Sequence, residues 1–355
     1  MNHVELFAGV GGFRRAMDLV AHDLGFPINT VAFSEIDNKA LATYNANYNT
    51  IGECSMGDIV GFVADKKCMR SLPRYQLLSG GFPCQTFSMM GSQEGFDEER
   101  GQMFFRIMDM INNRHPRYVL LENVKNLLQH NGGKTISIIK QELEIAGYIV
   151  KIDVFNSCDF GLPQKRNRAI IFARRKYLGD FEFSAKLVKE SFSQIDRNRC
   201  SLYFYNSMAE LLDMDVENKY YLSEKIKPTL LSNGSAGFKS KSDIDQIIAR
   251  PLTATMHKMH RACQDNYYSD LFIQSNGNDR PSERMSKDEL ARIAIRKLTP
   301  KEAFMLQGFS PNFATNAKAA GVADGAMYKQ AGNAVSVNTI YAIMQYLISH
   351  DIIRE

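Results

Sequence analysis

The sequence predicts an α/β protein built on a mainly parallel, doubly wound sheet, with a second, smaller, loop-rich domain. Three observations predict it. Short apolar runs alternate with amphipathic helical patterns through the first half of the chain. The alternation fades after Tyr177, and the next roughly 120 residues, to about Arg296, are rich in Ser, Asn, Lys and Tyr, which is too long a stretch for a loop. Apolar periodicity then returns at the C-terminal end. Residues 1–177, completed by 328–355, are expected to form the first domain. Residues 178–327 are expected to form the second, with its hinge.

The expected strands are VELF (4–7), TVAFSE (30–35), YQLLSG (75–80), YVLLENV (118–124), IVKIDVF (149–155) and AIIFA (169–173). Each is a short apolar run bounded by glycine or polar residues, as in a strand buried on both faces. One expected helix runs from Lys134 to Ala146, carried by Ile136, Ile138, Ile139, Leu143 and Ile145, with Gly147 as its stop. The segment VSVNTIYAIMQYLI (335–348) reads as a closing helix. Strands alternating with helices imply a sheet covered on both faces.

At 45% hydrophobic and 23% charged residues, the composition is that of a globular protein. No apolar run reaches the length of a membrane span, and MNHVELFAGVGG does not read as a signal peptide. Cys54, Cys68, Cys84, Cys158, Cys200 and Cys263 form no C-x-x-C pair, which points to reduced thiols in an intracellular protein. The formal charge of +4 is too mild to indicate a nucleic-acid partner by itself. Between Lys225 and Cys263, however, seven Lys/Arg face two Asp, a footprint suited to phosphate contact or equally to a solvated, lysine-rich loop.

The stretch VELFAGVGGFRRA places a glycine-rich turn between a strand and a helix, where a ligand approaches the backbone closely. A dinucleotide fingerprint G-x-G-x-x-G fits Gly9 and Gly11 but fails at Arg14, which weakens a nicotinamide or flavin reading. Glu35 ends the next strand, where a carboxylate accepts hydrogen bonds from ribose hydroxyls. Asp58, in MGDI, is placed to hold an adenine amino group. A nucleoside without pyrophosphate fits better, against the plainer alternative of a helix-capping turn with surface acids.

In LLSGGFPCQTFSMMG (77–91) a strand ends in two glycines and Pro83-Cys84 opens the next loop, at the sheet edge where ligands bind. Cys84 has Gly80, Gly81, Gln85 and Ser88 around it, poor company for a core cysteine and suited to an activated thiol. Glu122 and Asn123 end the next strand. A buried acid there must be paired or protonated, and in the second case it can donate a proton. GLPQKRNRAIIF then brings Gln164, Arg166 and Arg168 before another strand, with the two arginines expected on one face of an extended segment.

Taken in order, LFAGVGGF, FSEID, GDI, GGFPCQTFS, LLENV, QKRNRAIIF, RKLTPKEAFMLQGF (296–309) and YKQAGNAVSV (328–337) resemble the cytosine-5 DNA methyltransferases of bacterial restriction–modification systems. The resemblance implies an AdoMet-dependent methyltransferase fold whose second domain recognises the target. It implies S-adenosylmethionine as methyl donor, S-adenosylhomocysteine as product, duplex DNA as substrate and no metal. A monomer is expected, in the cytoplasm or nucleoid of a bacterium or its phage, with a cognate restriction endonuclease as a companion to look for. Phe7, Gly9, Gly11, Glu35, Ile36, Asp58 and Asn333 would surround the cofactor, although Ile36 stands where relatives often carry an aromatic ring. Cys84 would attack carbon 6 of cytosine, Glu122 would hold or protonate nitrogen 3, and Arg166 and Arg168 would steady the base. Gln85, Ser88, Gln164, Lys258 and Arg261 would contact DNA. Thr253, in RPLTAT, would stand for the family's Thr-Leu pair, here Thr253-Ala254.

HKMHRAC (257–263) spaces His257, His260 and Cys263 three apart, but no second ligand cluster accompanies it, so a basic DNA-facing segment is the better reading. Three other readings stay open: the same chemistry on tRNA, a decayed methylase acting as a DNA-binding protein, and an oxidoreductase on the glycine-rich turn. The long middle region argues against the first, and the intact Cys84, Glu122, Arg168 and Asn333 against the second. Arg14 argues against the third.

Overall fold

The computed structural model describes residues 1–83, 103–232, 242–258 and 263–354. The chain divides into two compact units. The first comprises Met1–Asn156, Asn167–Ser201 and Thr339–Glu355. The second comprises Ser157–Arg166 and Leu202–Asn338.

The first unit is organised by a sheet of seven strands among the described residues: β1 (Asn2–Leu6), β2 (Asn29–Phe33), β3 (Cys54–Ser55), β4 (Leu77–Gly81), β5 (Tyr118–Val124), β6 (Tyr148–Asn156) and β7 (Asn167–Arg175). Their order is β3-β2-β1-β4-β5-β7-β6. The first five strands pair in parallel, and β7 runs antiparallel to both β5 and β6. All six expected strands are present, with ends moved by a few residues. Strand β3 has two residues, too few for a periodic signal.

Helices α1 (Gly12–Leu24), α2 (Asn38–Asn47), α3 (Ile59–Ala64), α4 (Lys66–Ser71), α5 (Met103–Arg114) and α6 (Lys134–Ile145) connect the strands. Strand β1 shows why both faces are covered. Val4 and Leu6 pack with Ile59, Met69, Ile107, Ile111, Ile139 and Leu143 on the α3–α6 side. The alternate residues His3 and Glu5 point the other way, and Glu5 accepts from the Arg14 amide of α1 at 3.3 Å and the Tyr44 hydroxyl of α2 at 3.2 Å.

The second unit is built differently. Its sheet is two antiparallel three-residue strands, β8 (Tyr267–Ser269) and β9 (Ile295–Lys297), and its helices run from four residues (Met208–Leu211) to ten (Asp324–Asn333). Leu222, Leu230, Leu231, Ile244, Tyr267, Leu290 and Ile295 form a core cluster of this unit. Fully buried Arg296 forks onto Glu302 with bonds of 2.8 and 2.9 Å, and Glu302 also accepts the amides of Asp213 and Thr299.

The division differs from the sequence expectation at both boundaries. The chain stays with the sheet unit through the helix Ala185–Ser193, whose Val188 and Phe192 are buried, to Ser201, whose amide bonds Asp23 at 2.8 Å. The return falls at Thr339 rather than 328, because Gln307 of the second unit holds the Ala331 carbonyl at 2.7 Å.

Candidate active site

Because β1, β2, β4 and β5 are parallel, their C-terminal ends share one edge of the sheet. There, after β1, the chain turns through Phe7 (φ 53°), Gly9 and Gly11. The turn is tied to the end of β2 by three bonds: Phe7 N to Ser34 Oγ (3.1 Å), Ala8 N to Ser34 O (2.8 Å) and Gly9 N to Glu35 Oε2 (2.8 Å). The other oxygen, Glu35 Oε1, accepts the amides of Ile36 and Asp37, both at 2.8 Å. Glu35 is thus fixed with its carboxylate beside the turn; Oε1 has both lone-pair sites engaged and Oε2 keeps one open.

Gly11 has φ 80°, and a Cβ there would lie 2.5 Å from the Tyr48 ring, so only glycine lets the turn close on α2. A Cβ at Gly9 would meet nothing within 4 Å, which marks the open side of the turn. Ile36 is 72% exposed beside Glu35, and Asp58 is exposed, capping α3 through the Val60 amide at 3.0 Å.

Arg14, the residue that spoiled the dinucleotide pattern, has a structural task. Its guanidinium forks onto Glu53 at 2.6 Å, reaches the Asn49 carbonyl at 3.1 Å and lies over the Tyr44 and Tyr48 rings. Beneath it Glu5 is fully buried, and burial pushes its carboxyl up to about 8. Gly11 brings no side chain to cap α1, and Glu5 takes an amide of that helix's first turn instead. Neither residue stood out in the sequence as part of this site, because one read as a strand residue and the other as a mismatch.

At the neighbouring strand ends, Gly81 of β4 pairs with Glu122 of β5. Asn123 Nδ2 donates to the Phe82 carbonyl at 2.9 Å, anchoring the chain two residues before Cys84. Cys84, Gln85 and Ser88 lie outside the described residues. Glu122 Oε1 forms an ion pair with Arg168 Nε at 2.9 Å. Glu122 pairs across the ladder with Ile170, so Arg168 is its diagonal neighbour two residues along β7. Of the two options for a buried acid, pairing or protonation, the structure supplies the pairing.

Arg166 and Gln164 depart from expectation. Strand β7 begins at Asn167, so the alternation that would put Arg166 on the face of Arg168 does not extend to it. Arg166 belongs to the second unit, is 2% exposed, and donates to the carbonyls of Leu252 (3.1 Å), Gly332 (3.2 Å) and Ala334 (2.8 Å). Gln164 is fully buried. Its amide donates to Leu306 O at 2.9 Å and accepts from Leu252 N at 2.9 Å, so it is an internal strut and not the DNA contact expected of it. Thr253 is half-buried next to these ties, and Lys258 and Asn333 are exposed. Arg261 and His260 lie outside the described residues.

The basic surplus of 225–263 is also smaller than its residue count suggests. Lys227 is buried, with its ammonium 2.6 Å from Glu224 and 2.7 Å from the Ile293 carbonyl. Arg250 donates to the Asp243 carbonyl at 3.0 Å. Lys225 and Lys258 remain exposed among the described residues.

The chain matches the family profile of the C-5 cytosine-specific DNA methylases over residues 1–349. It is similar to the Type II methyltransferase M.SsoII of Shigella sonnei, at 34% identity over 98% of this chain and 79% of that one. It is also similar to the Type II methyltransferase M.DsaV of Dactylococcopsis salina, at 32% identity over 99% of this chain and 86% of that one. In fold it resembles the crystal structure of S. pombe Dnmt2 methyltransferase, with a TM-score of 0.76 at 20% identity over 99% of this chain and 100% of that one. The strand order and these relatives identify the sheet as that of the AdoMet-dependent methyltransferases. This chain belongs to the C-5 cytosine-specific DNA methylase family and is a DNA (cytosine-5-)-methyltransferase.

Proposed function

We propose that this enzyme methylates cytosine in duplex DNA with Cys84 as nucleophile, Glu122 and Arg168 as the groups that handle the base, and residues 178–327 as the region that reads the target sequence. The observation that carries the reading is the junction of β4 and β5. Asn123 pins the carbonyl of Phe82 while Glu122, one residue earlier, is held by Arg168. The chain therefore leaves the sheet edge at Phe82 and Pro83, the last described residues before Cys84, beside a fixed carboxylate.

The residues of the glycine-rich turn suit a nucleoside cofactor. Phe7, Gly9 and Gly11 shape an open backbone cradle, and Glu35 Oε2, held by the Gly9 amide, has a lone-pair site left for a ribose hydroxyl. Ile36 supplies an exposed apolar face, and Asp58 and Asn333 are accessible polar groups. Bound there, S-adenosylmethionine supplies an electrophilic methyl on sulfur. The enzyme acts alone on a base swung out of the helix, because carbon 6 is out of reach inside a stacked duplex.

Carbon 5 of cytosine is too weak a nucleophile to take the methyl unaided. The Cys84 thiolate adds to carbon 6, and the ring electrons move toward carbon 5. Glu122 takes up a proton from solvent as the base binds and places it on nitrogen 3, so negative charge does not build there. Arg168 keeps the carboxyl aimed through its ion pair with Oε1. After carbon 5 is methylated its proton passes to solvent, the C5–H electron pair re-forms the 5,6 double bond, Cys84 departs as thiolate, and nitrogen 3 returns its proton to Glu122. Arg166 is a positioning residue of the second unit, tied to the carbonyls of Leu252, Gly332 and Ala334. Exposed Lys258, with Arg261, Gln85 and Ser88, meets phosphates and the displaced strand.

The test is covalent trapping. Fluorine on carbon 5 cannot leave as a cation, so a duplex with 5-fluorocytosine at the target should hold the wild-type enzyme in a detergent-stable band when S-adenosylmethionine is present. Cys84→Ser should bind the duplex and form no band. Trapping of the serine variant at the wild-type rate would remove Cys84 from its role.

A further inference from the structure

The segment RPLTAT and the segment QAGNA are 78 residues apart (253 to 331) and are assigned different tasks, one at the DNA and one at the cofactor. In the second unit they touch backbone to backbone. A Cβ built on Gly332 would lie 2.3 Å from the Thr253 carbonyl carbon, 2.4 Å from its oxygen and 2.5 Å from the Ala254 nitrogen. Only a glycine allows that approach. Beside it, the Arg166 guanidinium donates through one nitrogen to the carbonyl of Leu252, just before Thr253. Through the other it reaches the carbonyls of Gly332 and Ala334, on either side of Asn333.

We propose that Arg166 and Gly332 form a joint that couples the target-reading turn at Thr253-Ala254 to the cofactor residue Asn333. Arg166 is a positioning residue of this joint. The proposal rests on the reading of Thr253 as a DNA contact and of Asn333 as a cofactor contact. A planar guanidinium with fixed donor directions can hold three carbonyls from two segments in register, whereas the ammonium of a lysine presents one point charge. Two further bonds restrain the same segments: Leu252 N to Gln164 Oε1 at 2.9 Å and Gln307 Nε2 to Ala331 O at 2.7 Å. With both backbones fixed this way, the Thr253 turn cannot shift when it meets a base pair without moving the peptide groups that carry Asn333. A wrong base pair would then disturb the cofactor side as well as the DNA side.

Four single variants of the full chain separate the joint from its two ends. Each is expressed in a methylation-free host whose DNA is bisulfite-sequenced, and each is purified for kinetics with S-adenosylmethionine. Thr253→Ala should broaden the set of methylated sequences and leave the KM for S-adenosylmethionine in place. Asn333→Ala should raise that KM and leave the sequence set in place. Arg166→Lys and Gly332→Ala should each move both quantities, broadening the sequence set and raising the KM for S-adenosylmethionine together. Gly332→Ala keeps the test alive if the lysine variant does not fold. If Thr253→Ala leaves the sequence set unchanged, or Asn333→Ala leaves KM unchanged, the reading of that end fails and the proposal with it. If both ends respond but Arg166→Lys and Gly332→Ala lower kcat alone, or move only one of the two quantities, the joint itself is disproved.

Discussion

In the sheet unit, β5 is hydrogen-bonded along both edges, to β4 and to β7, and takes a side-chain bond at its end, where Val124 N donates to Asn123 Oδ1 at 2.9 Å. Glu122 is then available to face the chemistry, while Asn123 fixes the chain beside it. In the second unit the paired strands have three residues each, and carbonyls are met by side chains instead. Arg166 serves Leu252, Gly332 and Ala334. Gln164 serves Leu306, Gln307 serves Ala331, and Arg296 serves Asp213. Buried backbone must be satisfied in either case. Where regular structure does it, motif residues are left for function. Where regular structure is scarce, motif residues become scaffolding.

That contrast can be broken from the chemistry side first. Glu122→Gln keeps the shape of the β5 edge and removes the proton and the ion pair with Arg168. Its kcat should fall by about 10²–10⁴-fold with DNA binding retained, in single-turnover methylation. A loss of folding stability in place of a loss of turnover would make Glu122 scaffolding too.

Glu302→Gln tests the opposite side. It leaves Arg296, fully buried, without its charge partner, and should destabilise the second unit by about 3–5 kcal/mol in urea unfolding. Unchanged stability with altered turnover would show that the pair serves catalysis.

Glu5 sharpens the comparison, because it is a buried acid inside the well-ordered unit. Burial holds its carboxyl up to about 8, above its ordinary value of 4.5, so the folded protein binds more protons than the unfolded chain between those pH values. The stability this contributes is present below about 4.5 and is lost as pH rises through about 8. Glu5→Gln should therefore flatten the fall in melting temperature between those values. A slope identical to wild type would mean that Glu5 is ionised throughout, held so by Arg14 and the Tyr44 hydroxyl.

The smallest expected effect is at the surface. Lys258→Ala should reduce the slope of log affinity against log salt by about one unit, with the set of methylated sequences unchanged. An unchanged slope would place the exposed lysine away from the phosphates.

The sheet unit was legible in the sequence because its signals are local. YVLLENV is a strand from Tyr118 to Val124, as expected, and the helix of Lys134–Ile145 follows its isoleucines. Arg168 was placed correctly on an extended segment, and Arg166 was not. Two residues of spacing imply a shared face only inside one strand, and β7 starts between them. The carbonyls that claim Arg166 and Gln164 come from more than 80 residues away in the chain, beyond what any local pattern encodes. The charge count of 225–263 misled for a related reason. It included Lys227, whose partner Glu224 stands one residue outside the window.

The ten residues of Ser157–Arg166 belong to the second unit although they interrupt a hairpin of the first. This bears on how recognition specificity can be exchanged between relatives. A fragment cut at Leu202 and Asn338 would leave behind Gln164, which pairs with Ala249 as an isolated bridge, and Arg166 with its three carbonyls. The unit of inheritance is therefore discontinuous. A recombined reading region inherits its frame only if the β6–β7 connection travels with it or already matches, so functional chimeras should cluster among donors that share those ten residues.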